Sequence, residues 1–244
     1  MNPLPILYQD EYLVAVNKPA GLLVHRTNID RHATSNAMHI VRDQLGKWVY
    51  PFHRLDKATS GILLFALDQE TARRMTQLFT DGAVSKSYIA IVRGFTKEEE
   101  RIEHPLREQW DKMNDPNAER ERPGKEAVTD YRRLADVELP HPVGRYATAR
   151  YSLIKATPLT GRNHQIRRHL KHIFHPVIGD TAYGDGKHNE FFRLQFNCHR
   201  LLLHAHAISL VHPYAGRNLS IEAPLDNAFR SLLETLRWDA VTLS

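Results

Sequence analysis

Asp56 stands in the stretch of the chain richest in chemical possibility, His53-Arg54-Leu55-Asp56-Lys57-Ala58-Thr59-Ser60-Gly61. Two residues able to carry positive charge, His53 and Arg54, precede it. The segment then runs directly into Ile62-Leu63-Leu64-Phe65-Ala66-Leu67. A carboxylate on a loop anchored by a rigid strand is held in a fixed direction, as nucleophilic or general-base chemistry requires. Taken alone, the same residue reads as a turn aspartate satisfied by backbone amides or as an ordinary ion pair. A second stretch, Thr160-Gly161-Arg162-Asn163-His164-Gln165-Ile166-Arg167-Arg168-His169-Leu170, concentrates cations on a helix start. On that helix Ile166 and Leu170 face a core, Arg167 and Arg168 project beside the stripe, and Arg167 lies one turn from Lys171. Such a face can grip phosphates. An arginine at its edge can instead pair with a buried carboxylate and keep it ionised and oriented. For Arg168 and Lys171 the plain reading is a basic surface. A third stretch, Lys86-Ser87-Tyr88-Ile89-Ala90-Ile91-Val92-Arg93-Gly94, puts Tyr88, Ala90 and Val92 on one strand face and Ser87, Ile89 and Ile91 on the other. A tyrosine at the mouth of a strand is a platform for stacking a base or a piece of core packing.

These groups need a scaffold, and the hydrophobic pattern supplies one. Ile6–Tyr8 and Tyr12–Val16 predict a hairpin split by Gln9-Asp10-Glu11, followed by turn chemistry at Asn17-Lys18-Pro19-Ala20-Gly21 and a short strand at Leu22–His25. Residues 26–36 read as a polar loop. Ala37, Ile40, Val41 and Leu45 fall at helical spacing. The run Ile62–Leu67 predicts a strand buried on both faces. Asp68 caps a helix carrying Ala72, Met75, Leu78 and Phe79, with Gly82 at its stop. Strands are expected over Lys86–Val92, 127–134, 146–156 and 201–210. Helices are expected over Asn163–Phe174, with Ile166, Leu170, Ile173 and Phe174 buried, and over Asn227–Leu236. Many short strands interleaved with a few helices predict an α+β fold with a largely antiparallel, mixed sheet and flanking helices and loops. Residues 107–126 hold eleven charged residues, two prolines and one glycine, and predict a mobile excursion from the core.

Composition narrows the classes. The 244-residue chain is 42% hydrophobic and 25% charged, with 12 glycines and 13 prolines, which excludes collagen-like and low-complexity chains. No apolar run approaches the ~18 residues of a transmembrane helix. Asp10, Glu11 and Lys18 interrupt any signal peptide. Cys198 is the one cysteine, so no intrachain disulfide forms. The expectation is a soluble, cytoplasmic protein, and with no heptads or long exposed apolar helix face, a monomer. The net charge of +5 is unevenly spread: Arg145–Arg217 holds 11 Lys or Arg against three acids, together with nine of the 15 histidines. A basic half on an otherwise balanced chain is the footprint of a polyanion, most often nucleic acid, or else a solvated face.

The motif His53–Gly61 resembles the signature of the RluA family of pseudouridine synthases. Asn17–Leu22 with Val24-His25, Lys86–Gly94, Thr160–Leu170 and His175-Pro176-Val177-Ile178-Gly179-Asp180 are similar to that family's other motifs, in the expected order and across nearly the whole chain. The resemblance implies a catalytic domain of two fused halves with a central RNA-binding cleft, spanning residues 1–244 with no separate RNA-binding module. It implies conversion of an RNA uridine to pseudouridine without metal or cofactor. The family's catalytic aspartate falls on Asp56, its uracil-stacking tyrosine on Tyr88 and the basic partner of the aspartate on Arg167. Arg54 falls on the residue that enters the helix vacated by the flipped uridine, offsetting part of the unstacking cost. His53, Arg162, His164, Arg168 and Lys171 are further candidate RNA contacts, and the 107–126 excursion a candidate clasp for an RNA stem. The Ile6–Arg26 opening, Thr148-Ala149-Arg150-Tyr151 and Arg167–His172 resemble members acting on tRNA, implying a T-stem uridine at position 65, with ribosomal RNA the alternative.

Two other classes compete. His204-Ala205-His206 and the series His169, His172, His175 have ligand-like spacings and would suit a metal-dependent hydrolase. A non-catalytic RNA-binding protein would explain the basic half but not a carboxylate, repulsive toward phosphate, at the centre of the best motif.

Overall fold

The computed structural model describes residues 2–25, 35–107 and 123–243. In chain order its elements are β1 (Ile6–Gln9), β2 (Leu13–Lys18), α1 (Ala37–Leu45), β3 (Tyr50–Pro51), β4 (Ser60–Ala66), α2 (Gln69–Thr80), β5 (Ser85–Arg93) and β6 (Glu99–Glu103). There follow β7 (Val128–Leu139), β8 (Ala149–Pro158), α3 (Gln165–His172), α4 (Gly186–Phe196), β9 (Leu203–Val211), β10 (Asn218–Glu222) and α5 (Asn227–Thr235). The α+β class and the largely antiparallel sheet are as the pattern predicts. The chain forms two compact units from interleaved segments: the first is the part ending at Lys86 with Ala205–Pro224, the second Ser87–Leu106, Glu126–His204 and the part from Leu225.

In the first unit β1, β2 and β4 are neighbours in antiparallel order, β3 adds to β4, and β10 lies antiparallel to β9. Asp10 makes the first hairpin: its Oδ1 accepts the Tyr12 and Leu13 amides at 2.8 and 2.7 Å. The β2–β4 register pairs Leu13 with Ala66 and ends with Lys18 opposite Gly61. Every residue of β4 is buried, as a strand flanked on both edges and covered on both faces must be. Leu13, Ala15, Ile62, Leu64, Met75, Val84 and Ile208 form the core of this unit. The Asp68 cap is present, its Oδ1 accepting the Thr71 amide at 2.8 Å.

In the second unit the order is β5-β8-β7-β6, again antiparallel. Ile89 and Ile91 of β5 enter a core with Tyr151, Leu153, Phe192, Phe229 and Trp238, so Tyr88 is on the opposite face of its strand, as the alternation predicts. Four elements carry no strong pattern in the sequence and appear only in the structure: β3, β6, β10 and α4. The last is capped by Asp185, whose Oδ1 accepts the Lys187 amide at 3.0 Å.

Two expectations need correction. Leu22–His25 is not a strand: the Leu23 and Val24 carbonyls accept the amides of Ala37 and Met38, so this segment closes the N-terminus of α1 instead of joining a ladder. The third helix ends at His172, and Phe174, expected in the buried stripe, is 79% exposed. The expected loop at 26–36 and the charged excursion at 107–126 fall largely outside the described residues. Among the described residues no helix is long and apolar enough to cross a membrane.

Candidate active site

Asp56 lies on a tight turn whose shape is set by main-chain bonds. Its carbonyl accepts the Thr59 amide at 3.1 Å, and the Lys57 carbonyl accepts the Gly21 amide at 2.8 Å. The brace beneath is Lys18, fully buried at the end of β2. Its Nζ donates to the carbonyls of Pro19 and Leu22, both at 2.9 Å, and to that of Lys57 at 3.2 Å. A buried ammonium is tolerable only when its donors are met, and here they join two turns, 19–22 and the residue after Asp56. Gly61 completes the local logic. Its φ is +110°, and a side chain there would collide with the Ala205 backbone, so only glycine admits the close approach. Asp56 itself is partly exposed, and Arg54 is exposed beside it.

His53 proves to be a support. Its Nε2 accepts the Leu64 amide at 2.9 Å, and its ring stacks on Phe79 at 4.9 Å and tilts against Phe52 at 5.2 Å. Burial, helped by the nearby Lys86 charge, pushes its pKa down to about 3. The imidazole is therefore neutral at physiological pH and ties the motif to β4.

Arg167 of α3 is buried and makes a bidentate pair with Asp180: Nε to Oδ2 at 2.7 Å and Nη2 to Oδ1 at 2.8 Å. Burial alone would raise the Asp180 carboxyl, but the guanidinium and the backbone amides of Tyr183 and Ala182 outweigh it and hold it below the usual carboxylate range. The Tyr183 ring lies against the same guanidinium, 5.1 Å from ring centre to Cζ, and its hydroxyl meets His164 Nδ1 at 3.0 Å. Asp180 and Tyr183 are neighbours of Arg167 that residue type and spacing did not single out, although Asp180 closes the His175–Asp180 motif. The signal available was Asp180's position as a rare acid inside the basic half.

The approach to α3 is sewn down by Gln165. Its Oε1 accepts the Arg162 amide at 2.9 Å and the Thr160 hydroxyl at 2.7 Å, while Nε2 donates to the Val128 carbonyl at 2.9 Å. Arg162 bonds through Nε to the Glu126 carbonyl at 2.9 Å. Arg168 is half-buried and Lys171 exposed, so these two do form a basic surface. Tyr88 is half-buried on β5, paired in register with Ala156.

The histidine series is engaged otherwise than in ligation. His169 joins Thr129 Oγ1 through Nδ1 at 2.9 Å and the His104 carbonyl through Nε2 at 3.0 Å. His172 stacks on His104 at 3.7 Å, His175 Nδ1 meets the Arg93 carbonyl at 2.8 Å, and His206 Nδ1 meets the Ala223 carbonyl at 3.3 Å. Among the described residues no group of three or more His, Cys, Asp or Glu side chains is arranged to hold a metal ion.

A carboxylate turn and a braced arginine helix on an α+β scaffold define a class whose known members can be compared directly. The family model described as RNA pseudouridylate synthase matches residues 12–172. The chain belongs to that family, enzymes that isomerise uridine in RNA, which agrees with the motifs' resemblance. It is 50% identical to the tRNA pseudouridine synthase C of Pasteurella multocida, covering 97% of each chain. It is 49% identical to the protein of the same name from Haemophilus influenzae, covering 98% of this chain and 100% of that one. Among solved structures it is similar to human RNA pseudouridylate synthase domain containing 4, with TM-score 0.71, 27% identity and coverage of 96% and 93%. It is also similar to human RNA pseudouridylate synthase domain containing 1, with TM-score 0.70, 25% identity and coverage of 97% and 98%.

Proposed function

We propose that the chain converts one tRNA uridine to pseudouridine, the T-stem uridine at position 65, working as a single cytoplasmic chain. The observation that carries the chemistry is the Asp56 turn, fixed from below by Lys18 and entering a strand with no exposed residue. A side chain so mounted presents its carboxylate from a turn fixed by the neighbouring 19–22 turn and by β4. The tRNA target is supported by the names of the near full-length relatives.

In this reading the uridine swings out of its stem and Asp56 acts on the ribose as an ionised carboxylate. The C1′–N1 bond breaks with its electron pair leaving on the uracil, the base turns, and C5 bonds to C1′; the proton lost from C5 is balanced by one taken up at N1, so the product is an isomer of the substrate. Tyr88 stacks on the uracil, and Arg167 is the basic partner of the aspartate, itself oriented by Asp180. Arg54, exposed next to the turn, fills the vacated stack and offsets part of an unstacking cost of a few kcal/mol. Arg168 and Lys171 supply positive charge for the flanking backbone, with Arg162 and His164 at the head of the same helix.

The test is incubation of the purified chain with unmodified tRNA and ribosomal RNA transcripts, followed by mapping of pseudouridine at single-nucleotide resolution. One new pseudouridine in the T stem supports the reading. Modification confined to ribosomal RNA keeps the chemistry and overturns the target, and no modification of either overturns both.

A further inference from the structure

α3 ends in a way its sequence makes costly. The His175 amide bonds back to the Leu170 carbonyl at 2.8 Å and the Phe174 amide to the Lys171 carbonyl at 3.0 Å. These are the two bonds of a Schellman ending, whose left-handed residue is Phe174 at φ +66°. Glycine ordinarily takes that place, and a bulky side chain there is a backbone outlier. The strain is not repaid by burial, because the Phe174 ring is 79% exposed. Yet the turn is tightly built. Arg93 donates through Nη2 to the Phe174 carbonyl at 3.2 Å, and its Nη1 is anchored on Asp185 at 2.5 Å. The Arg93 amide bonds to the Pro176 carbonyl at 3.1 Å and the Arg93 carbonyl to His175 Nδ1 at 2.8 Å. A rigid mount thus displays a bare phenyl ring at the end of a helix whose exposed side carries Lys171 and His172 and whose flank carries Arg168.

Strained residues held by an over-determined surround concentrate at functional positions. An aromatic ring amid positive charge suits a polyanion that also offers flat apolar faces, which is single-stranded or splayed RNA. We propose that Phe174 is an RNA-stacking residue, taking a nucleobase of the substrate other than the reacting uridine, while Lys171 holds the adjoining phosphate. The inference rests on the functional reading only in taking RNA as the partner.

The experiment measures binding, so its outcome does not depend on turnover. Fluorescence anisotropy with an unmodified tRNA transcript gives Kd over a range of salt for wild type, Phe174→Gly, Phe174→Asn, Phe174→Tyr and Lys171→Ala. Gly and Asn both suit the left-handed backbone, so neither variant should melt below wild type. Phe174→Gly and Phe174→Asn are expected to weaken binding about tenfold with an unchanged salt slope. Phe174→Tyr should restore affinity, and Lys171→Ala should lower the slope by about one. A Phe174→Gly protein binding within twofold of wild type, or a Tyr variant as weak as Gly, overturns the proposal. Failure of wild type to make pseudouridine would overturn the functional reading while leaving these binding ratios to decide the inference.

Discussion

Around Asp56 the chain is held by main-chain atoms: the carbonyls of Asp56 and Lys57 take the amides of Thr59 and Gly21, and the Lys18 ammonium gathers three further carbonyl contacts. Around Arg167 it is held by charge, a guanidinium and a carboxylate with 8% and 0% side-chain exposure facing each other in two parallel bonds. In the first region the shape of the turn is specified by backbone groups, and exchanging the Asp56 carboxylate leaves those main-chain bonds in place. In the second the basic group is itself part of the framework. Substitutions should therefore separate activity from stability at Asp56 and damage both at Arg167 or Asp180.

The largest loss of stability is expected from Asp180→Ala. Removing one partner strands a buried cation, at a cost of about 3–5 kcal/mol, read as a lower urea midpoint at an unchanged slope. A midpoint within experimental scatter of wild type would place the pair's worth near zero and erase the contrast. Lys18→Met keeps the stem of the side chain and deletes the ammonium. It should cost about 2 kcal/mol and lower turnover as well, because the carbonyls of Pro19, Leu22 and Lys57 lose a shared donor. Normal turnover in a destabilised Lys18→Met protein would show that the brace does not orient Asp56.

A further effect sharpens the comparison through pH. The His53 pKa falls from 6.5 to about 3 on folding because its ring is desolvated beside the Lys86 charge. Between those values the unfolded chain binds a proton that the folded chain refuses, so stability is full above pH 6.5 and declines as pH falls toward 3. His53→Gln retains an acceptor for the Leu64 amide and cannot titrate. Its stability should decline less than that of wild type between pH 7.5 and 4.5. Parallel declines would mean that His53 is protonated as readily folded as unfolded.

Much of this was legible in the residues. The continuous apolar run after Asp56 foretold β4 because burial on both faces leaves no polar alternation. Asp68 and Gly82 foretold the bounds of α2 because capping is local chemistry. The charge imbalance pointed to a polyanion, and the motif order pointed to the family. What stayed hidden depends on contacts distant in sequence. His53 looked cationic, and it is burial against Phe79 and Phe52, beside the Lys86 charge, that lowers its pKa while its Nε2 accepts the Leu64 amide. Arg167 has the spacing of an edge residue of its helix, whereas Asp180, thirteen positions on, draws it into the interior. Phe174 completes an apolar stripe by spacing, but the helix stops two residues short, and the left-handed turn sends the ring outward. Leu22–His25 has strand composition, yet its carbonyls go to the N-terminus of α1.

The most direct measurement pairs activity with binding in Asp56→Asn. The substitution keeps the size and shape of the side chain while exchanging one carboxylate oxygen for an amide donor and removing the negative charge. The fold and tRNA affinity should stay near wild type, and pseudouridine formation should drop by at least about a thousandfold. An Asp56→Asn protein that still forms pseudouridine within tenfold of the wild-type rate would contradict the assignment of the chemistry to this turn.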